Sequence, residues 1–168
     1  SEQVGRAVSI GGSYISYELT DGFAVRGLDT TWLVRGPWFL RRVLDANGGE
    51  HVDSIARRHG VHTVYNEQVT EVVPNGNGSA IVVTNTGRQV ETDMIACGLG
   101  LTYYVDILRD TPIQINKAIV TNEFLETSVP DVYAAGDVAE FYDVTIDRHH
   151  TLGTVSYTHL RAHETGRN

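Results

Sequence analysis

Thr127-Ser128-Val129-Pro130-Asp131-Val132-Tyr133-Ala134-Ala135-Gly136-Asp137 is an apolar stretch that runs into two alanines, a glycine and an aspartate. The pattern predicts a strand that ends in a tight turn. Small residues let the backbone of such a turn come close to a phosphate or a ring. The carboxylate of Asp137 then stands at the carboxyl end of the strand, where open α/β sheets bind ligands. A second reading makes Asp137 the cap of a following helix.

Upstream of this stretch the chain alternates strand and helix. Arg6–Ile10 is a short apolar strand, followed by the turn Gly11-Gly12-Ser13. From Tyr14 to Ala24 the residues Ile15, Leu19 and Phe23 recur at four-residue intervals, as on one helical face. Leu28–Arg35 reads as a second strand, Asn47–His59 as a helix with Val52, Ile55 and Ala56 inward, and His62–Tyr65 as a third strand. This βαβαβ order predicts a Rossmann-like parallel sheet in an α/β fold. The pattern then changes to Gln68–Val73 and Ser79–Asn85, joined by Asn75-Gly76-Asn77-Gly78, with a second turn at Asn85–Arg88. Asn-Gly pairs are strong hairpin signals, so a β-meander is expected beside the sheet. Asp93–Cys97 returns as a strand that ends at Gly98, and Ala118–Thr121 precedes the opening stretch.

The composition sets limits on the partners. The 168 residues carry a formal charge of −8, with 41% hydrophobic and 20% charged residues. A packed core is expected, and the acidic balance argues against nucleic acid or an anionic membrane surface. No apolar run reaches the ~20 residues of a membrane span, and Ser1–Arg6 does not read as a signal peptide. The single Cys97 excludes a disulfide framework and suits a reducing cytoplasm. His149-His150 has no partner at ligand spacing, so no metal site is expected and the pair reads as loop. Trp32, Trp38 and Tyr133 are expected to pack in the core, and Cys97 to be a small buried apolar residue.

The strand–turn–helix at the amino end has the shape of an anion site, because the first helical N–H groups have no intrahelical partner. The dinucleotide fingerprint G-x-G-x-x-G falls on Gly11, Ser13 and Ser16, so only the first glycine is kept. At the end of the second strand the residue expected to be acidic in an NAD site is Val34, followed by Arg35. Arg41 stands six positions after Arg35. The pair resembles the arginines that hold the 2′-phosphate in the NADPH-using disulfide reductases, and guanidinium groups bind phosphate bidentately, which leans toward NADPH; an ordinary solvated basic cluster of Arg35, Arg41 and Arg42 is the other reading.

Thr127, Tyr133, Gly136 and Asp137 match the pattern TxxxxxYAxGD, and Gly11-Gly12-Ser13-Tyr14-Ile15-Ser16-Tyr17-Glu18-Leu19 resembles the turn GGGYIGLEL. Both belong to the FAD-dependent pyridine nucleotide(-disulfide) oxidoreductases. The chain is most similar to the branch holding ferredoxin reductases and NADH oxidases, and Asn122–Ser128 supports that branch. The resemblance runs from about Arg6 to Thr154. It implies that NAD(P)H docks on Gly11, Gly12, Ser13, Tyr14, Ile15 and Ser16, with Arg35, Arg41 and Gly98 beside it. It also implies that hydride passes to FAD, held in part by Gly136 and Asp137, and then to an acceptor such as an iron–sulfur protein. By the same resemblance Tyr14 would lie over the flavin and Glu18 near it, both at the reacting centre; the bland alternatives are a helix-start aromatic contact and a solvated helix face.

The family's first FAD fingerprint, any redox-active cysteine and the interface domain do not occur in this sequence. The chain therefore reads as a fragment that needs the N-terminal FAD half of its parent and is inactive by itself. Residues 1–97 are expected as the NAD(P)-binding domain and 98–154 as the returning segment of the FAD-binding domain. Val155–Asn168 lacks capped periodicity and is expected to be a non-native tail, or else a frayed terminus. Two rival functions are an orphan nucleotide-binding fragment without activity and a single-Rossmann NAD(P) dehydrogenase without flavin.

Overall fold

Residues 4–143 and 147–151 are described in the computed structural model of the protein. The chain divides into two compact units, Ser1–Gly100 and Leu101–Asn168. The expected tail Val155–Asn168 lies outside the described residues.

In the first unit, strand β1 (Arg6–Ile10) leads into helix α1 (Tyr14–Val25), β2 (Asp29–Val34), α2 (Ala46–Arg58) and β3 (His62–Tyr65). A meander of β4 (Val69–Pro74), β5 (Ala80–Thr84) and β6 (Gln89–Thr92) follows, and β7 (Met94–Cys97) returns to the first sheet. The order β3-β2-β1-β7 is parallel throughout, and β4-β5-β6 is antiparallel. This is the Rossmann-like sheet with meander that the sequence predicts. The meander turns are built as their glycines require: Gly76, Gly78 and Gly87 all adopt positive φ.

Alternation along β2 sorts the core onto the two faces of the sheet. Trp32 and Val34 point to the helical side and pack with Phe39, Ala56 and Val61. Leu33 points the other way and joins Val8 and Val82 beneath the meander. Arg6 then closes the amino end of the sheet on Asp93, 2.7 Å from its carboxylate.

Helix α1 differs from its apolar pattern. The residues turned fully inward are Ser16 and Thr20, while Ile15 is 48% exposed and Leu19 and Phe23 are half-buried. The cause is close approach. A Cβ built on Gly98 would lie 2.5 Å from the Ser16 nitrogen, and the Ser9 hydroxyl donates to the Ser16 carbonyl at 3.0 Å. Helix and sheet meet too tightly there for a large side chain, so the apolar row is rotated toward solvent.

The second unit holds a 3-10 turn (Asp106–Leu108) and strands β8 (Ile119–Thr121), β9 (Ala139–Asp143) and β10 (Arg148–His150), in the order β10-β9-β8. His149 and His150 thus lie on a strand paired with β9, not in a loop. The opening stretch is not a full strand. It makes one bridge, Glu126 to Tyr133, and Tyr133 is 63% exposed rather than core. A segment with a single bridge has no neighbouring ladder to bury its side chains.

Candidate functional site

Two loops meet at the carboxyl ends of β1 and β7. Gly11 adopts φ +132°, and a Cβ on it would fall 2.2 Å from the Gly98 carbonyl oxygen. No larger residue fits this crossing point. The turn is pinned from several directions. Gly11 N–H donates to Leu33 O at 2.9 Å, Gly98 N–H to Ile10 O at 2.8 Å and Leu40 N–H to Gly12 O at 3.1 Å. The indole N–H of Trp32, fully buried, donates to the Gly11 carbonyl at 2.8 Å.

Helix α1 starts with Ser13 as N-cap. The Ser16 N–H donates to the Ser13 hydroxyl, and the Ser13 N–H donates to the Ser16 hydroxyl at 3.0 Å. This is a capping box with serine where glutamate is usual. The first turn consequently carries no acidic side chain. Tyr14 and Ile15 keep N–H groups that have no acceptor within the helix.

In front of this turn lies a cleft of about 280 Å³, lined among others by Gly12, Ser13, Gly98, Arg35, Arg41 and Arg42. The structure therefore brings five of the expected cofactor residues together: Gly12, Ser13, Arg35, Arg41 and Gly98. Arg41 lies across Gly36, where a Cβ would stand 2.8 Å from Arg41 Cδ. Arg35, Arg41 and Arg42 form no ion pair with any described residue, and no carboxylate lines the cleft. Unpaired guanidinium groups and a helix N-terminus without a counter-charge fit a phosphate-bearing ligand. A second cavity of about 400 Å³, more apolar, continues on the meander side and shares Gly12, Arg35 and Leu99. Cys97 lines it and is exposed, contrary to the expectation of a buried residue. It is the last residue of β7, where the sheet opens into the cavity.

The other expected residues lie elsewhere. Gly11 and Ser16 are buried behind the turn, whereas Tyr14 and Ile15 stand exposed on the first turn of α1. Tyr14 meets the edge of Phe39 with centroids 6.3 Å apart. Glu18 is exposed one turn later and borders a groove of about 430 Å³ with Leu19, Phe23 and Met94. In the second unit Gly136 takes φ +80° and Asp137 follows it in an exposed turn that leads into β9 rather than a helix. Sequence reasoning missed Leu40 and the role of Trp32; the only signal for Trp32 was its place on a strand next to the glycine turn.

The fold is that of the dinucleotide-binding class of α/β proteins. Residues 1–159 match the family described as pyridine nucleotide-disulphide oxidoreductase, and the chain belongs to that family. The match runs past Thr154 into the segment expected as a tail. Among curated relatives, monodehydroascorbate reductase 2 of Arabidopsis thaliana is 30% identical over 142 residues, covering 84% of this chain and 33% of the relative. Among solved structures, the water-forming NADH oxidase of Lactobacillus brevis bound to NADH aligns with a TM-score of 0.85 at 25% identity, over 99% of this chain and 37% of that one. Putidaredoxin reductase in its covalent complex with putidaredoxin aligns with a TM-score of 0.83 at 26% identity, over 90% and 37%. The chain thus spans about a third of the length of the relatives it matches. Among the described residues no helix is long and apolar enough to cross a membrane.

Proposed function

We propose that the parent protein is an FAD-dependent NAD(P)H oxidoreductase and that the cleft at Gly11–Ser16 takes the nicotinamide dinucleotide. The carrying observation is the charge of that cleft: three guanidinium groups without carboxylate partners among the described residues, beside a helix N-terminus with no acidic side chain in its first turn. When bound, NAD(P)H supplies a hydride and FAD accepts it. The residues of this chain bind and orient. Tyr14 and Ile15 N–H groups receive phosphate oxygens, Gly12 and Gly98 keep the floor of the cleft free of side chains, and Gly11 lets the two loops cross behind it. Arg35 and Arg41 hold a 2′-phosphate, which makes NADPH the preferred donor; Val34 cannot bind a ribose hydroxyl as an acid would. Tyr14 covers the nicotinamide side, Glu18 stands near the flavin, and Gly136-Asp137 meets the ribitol hydroxyls of FAD.

The NADH bound in the Lactobacillus enzyme supports a nicotinamide dinucleotide as ligand, and the putidaredoxin complexed with the second structure supports a protein as electron acceptor, for which an iron–sulfur protein is our reading. The expected division into 1–97 and 98–154, and a cytoplasmic location suited to a lone thiol, belong to the same reading. By itself the chain binds nucleotide without turnover.

The test has two parts. Calorimetric titration of the 168-residue chain with NADPH and NADH should show binding, tighter for NADPH. Co-expression with the matching N-terminal FAD half should give a yellow protein that oxidises NADPH. A colourless product that reduces a carbonyl substrate instead would favour the flavin-free dehydrogenase.

A further inference from the structure

We infer that Ser13 and Ser16, which replace two glycines of the dinucleotide fingerprint, are positioning residues: together they tie the β1–α1 turn to the loop after β7 and leave the Tyr14 and Ile15 N–H groups as the anion donors. This rests on the reading of the cleft as the NAD(P)H site. The two hydroxyl protons are already committed. Ser13 Oγ donates to the Gly98 carbonyl at 2.7 Å, and Ser16 Oγ donates to the Ser13 carbonyl at 2.7 Å. Each oxygen then accepts a backbone N–H, from Ser16 at 3.4 Å and from Ser13 at 3.0 Å. Neither hydroxyl has a proton left for a ligand, so the serines organise the site rather than touch the phosphate.

Counting donors gives the rest. The N–H groups of Ser13 and Ser16 end on side chains, and Tyr17 N–H ends on the Ser13 carbonyl at 3.1 Å. Only Tyr14 and Ile15 remain in the first turn. A capping box with glutamate would have put a carboxylate beside the incoming phosphates; serine closes the same box without charge. The tether to Gly98 spans 85 positions of sequence and joins two walls of one cleft. A glycine at position 13 has no group to make it.

The consequence runs against the fingerprint. Restoring its glycine with Ser13→Gly should weaken binding. In the 168-residue chain, NADPH titrated by nicotinamide fluorescence should bind Ser13→Gly about five- to tenfold less tightly than wild type, the worth of one lost hydrogen bond and its ordering. Ser13→Thr keeps the hydroxyl and should restore affinity to within about twofold of wild type. Ser13→Asp keeps a capping acceptor but has no proton for the Gly98 carbonyl and sets a carboxylate at the anion site; binding should fall by more than about tenfold. Hydrogen exchange of the ligand-free chain supplies a readout independent of nucleotide: amides at Gly98–Gly100 should exchange faster in Ser13→Gly and not in Ser13→Thr. Binding of NADPH by Ser13→Gly as tight as by wild type overturns the inference while leaving the cleft assignment intact. Unchanged exchange at Gly98–Gly100 overturns the tether. Failure of the wild type to bind either nucleotide overturns the cleft assignment itself.

Discussion

Arg6 and Asp93 lie 87 positions apart and meet at the foot of the parallel sheet, with Arg6 Nη2 2.7 Å from Asp93 Oδ1. The other carboxylate oxygen accepts the Gly5 and Arg6 backbone N–H groups at 3.1 and 2.9 Å. The guanidinium and then these two amides favour the ionised form and hold the Asp93 carboxyl at about 2, below the usual 3.8. A carboxyl whose value is depressed by folding stabilises the fold above its unfolded value and loses that contribution as it is protonated in the folded state. The stabilisation from Asp93 should therefore be complete above about pH 4 and vanish as the pH falls toward 2. Urea titrations at several pH values check this. Asp93→Asn should be less stable than wild type at pH 6, and the two should converge near pH 2. A constant difference across that range would show that the ion pair does not carry the effect.

Arg35 and Arg41 give the sharpest test of cofactor choice. Both face the cleft without a carboxylate partner among the described residues, so each is available to a phosphate. Charge-assisted hydrogen bonds are worth about 1.5–3 kcal/mol. Arg35→Ala or Arg41→Ala should then lower NADPH affinity about ten- to hundredfold while NADH affinity changes little. Calorimetry on the single variants decides it. An equal loss for both nucleotides would mean that the arginines hold the shared pyrophosphate and give no preference.

The sheet of the first unit was legible because its signals are local. Arg6–Ile10, the glycine turn, β3 and the Asn-Gly hairpin are each set by residues next to one another, and helix α2 was placed within a residue at each end. Its cap was missed because Asp45 is followed by Gly48-Gly49, which reads as loop. The structure explains the second of the two: a Cβ on Gly49 would sit 2.5 Å from Trp38 Cβ, so the helix needs glycine there to let the indole lie against it, while the Gly48 N–H donates to the Asp45 cap at 2.8 Å. Of the three arginines at the edge of the cleft, Arg35 and Arg41 were legible from their place after β2 and from a resemblance to a family pair, whereas Arg42 entered only as part of a solvated basic cluster. What joins the walls of the cleft was not legible, because the Ser13 tether and the Trp32–Gly11 bond link residues 85 and 21 positions apart. Tyr133 and Cys97 were misplaced for a related reason. Their surroundings are set by which strands run beside them, and an apolar pattern carries no information about a neighbour's presence.

Glu140 should prove to be the keystone of the second unit. It is 5% exposed, and its carboxylate accepts Asn116 Nδ2 at 2.9 Å and the Lys117 and Ala118 N–H groups at 3.0 Å each. Those bonds hold the turn that precedes β8, and β8 pairs with β9 directly after Gly136-Asp137. Glu140→Ala leaves three donors without an acceptor and should cost on the order of 3 kcal/mol, against about 1 for an ordinary neutral hydrogen bond. Because Trp32 and Trp38 both lie in the first unit, tryptophan fluorescence would not register the change. Amide exchange at Lys117 and Ala118 would, and unaltered protection there would rule out this role.

Gly98 and Gly60 separate two reasons for glycine. Gly60 ends α2 at φ +80° with nothing within 4 Å of an added Cβ, and its N–H donates to the Arg57 carbonyl at 3.0 Å. Only backbone conformation demands glycine there, so Gly60→Ala should cost about 1 kcal/mol. Gly98 has no positive φ, but its Cβ would lie 2.5 Å from the Ser16 nitrogen and 2.8 Å from Ser16 Cβ. That nitrogen belongs to a capped helix turn fixed by four hydrogen bonds and cannot retreat by a side-chain rotation. Gly98→Ala should therefore cost about 3 kcal/mol, the upper range for overpacking, and should displace the Ser13–Ser16 turn and weaken the proposed NADPH binding. Urea denaturation of the two variants, paired with NADPH titration, reads both effects. If Gly98→Ala proves as mild as Gly60→Ala and binds NADPH normally, the helix and the β7 loop do not pack as closely as their contact implies.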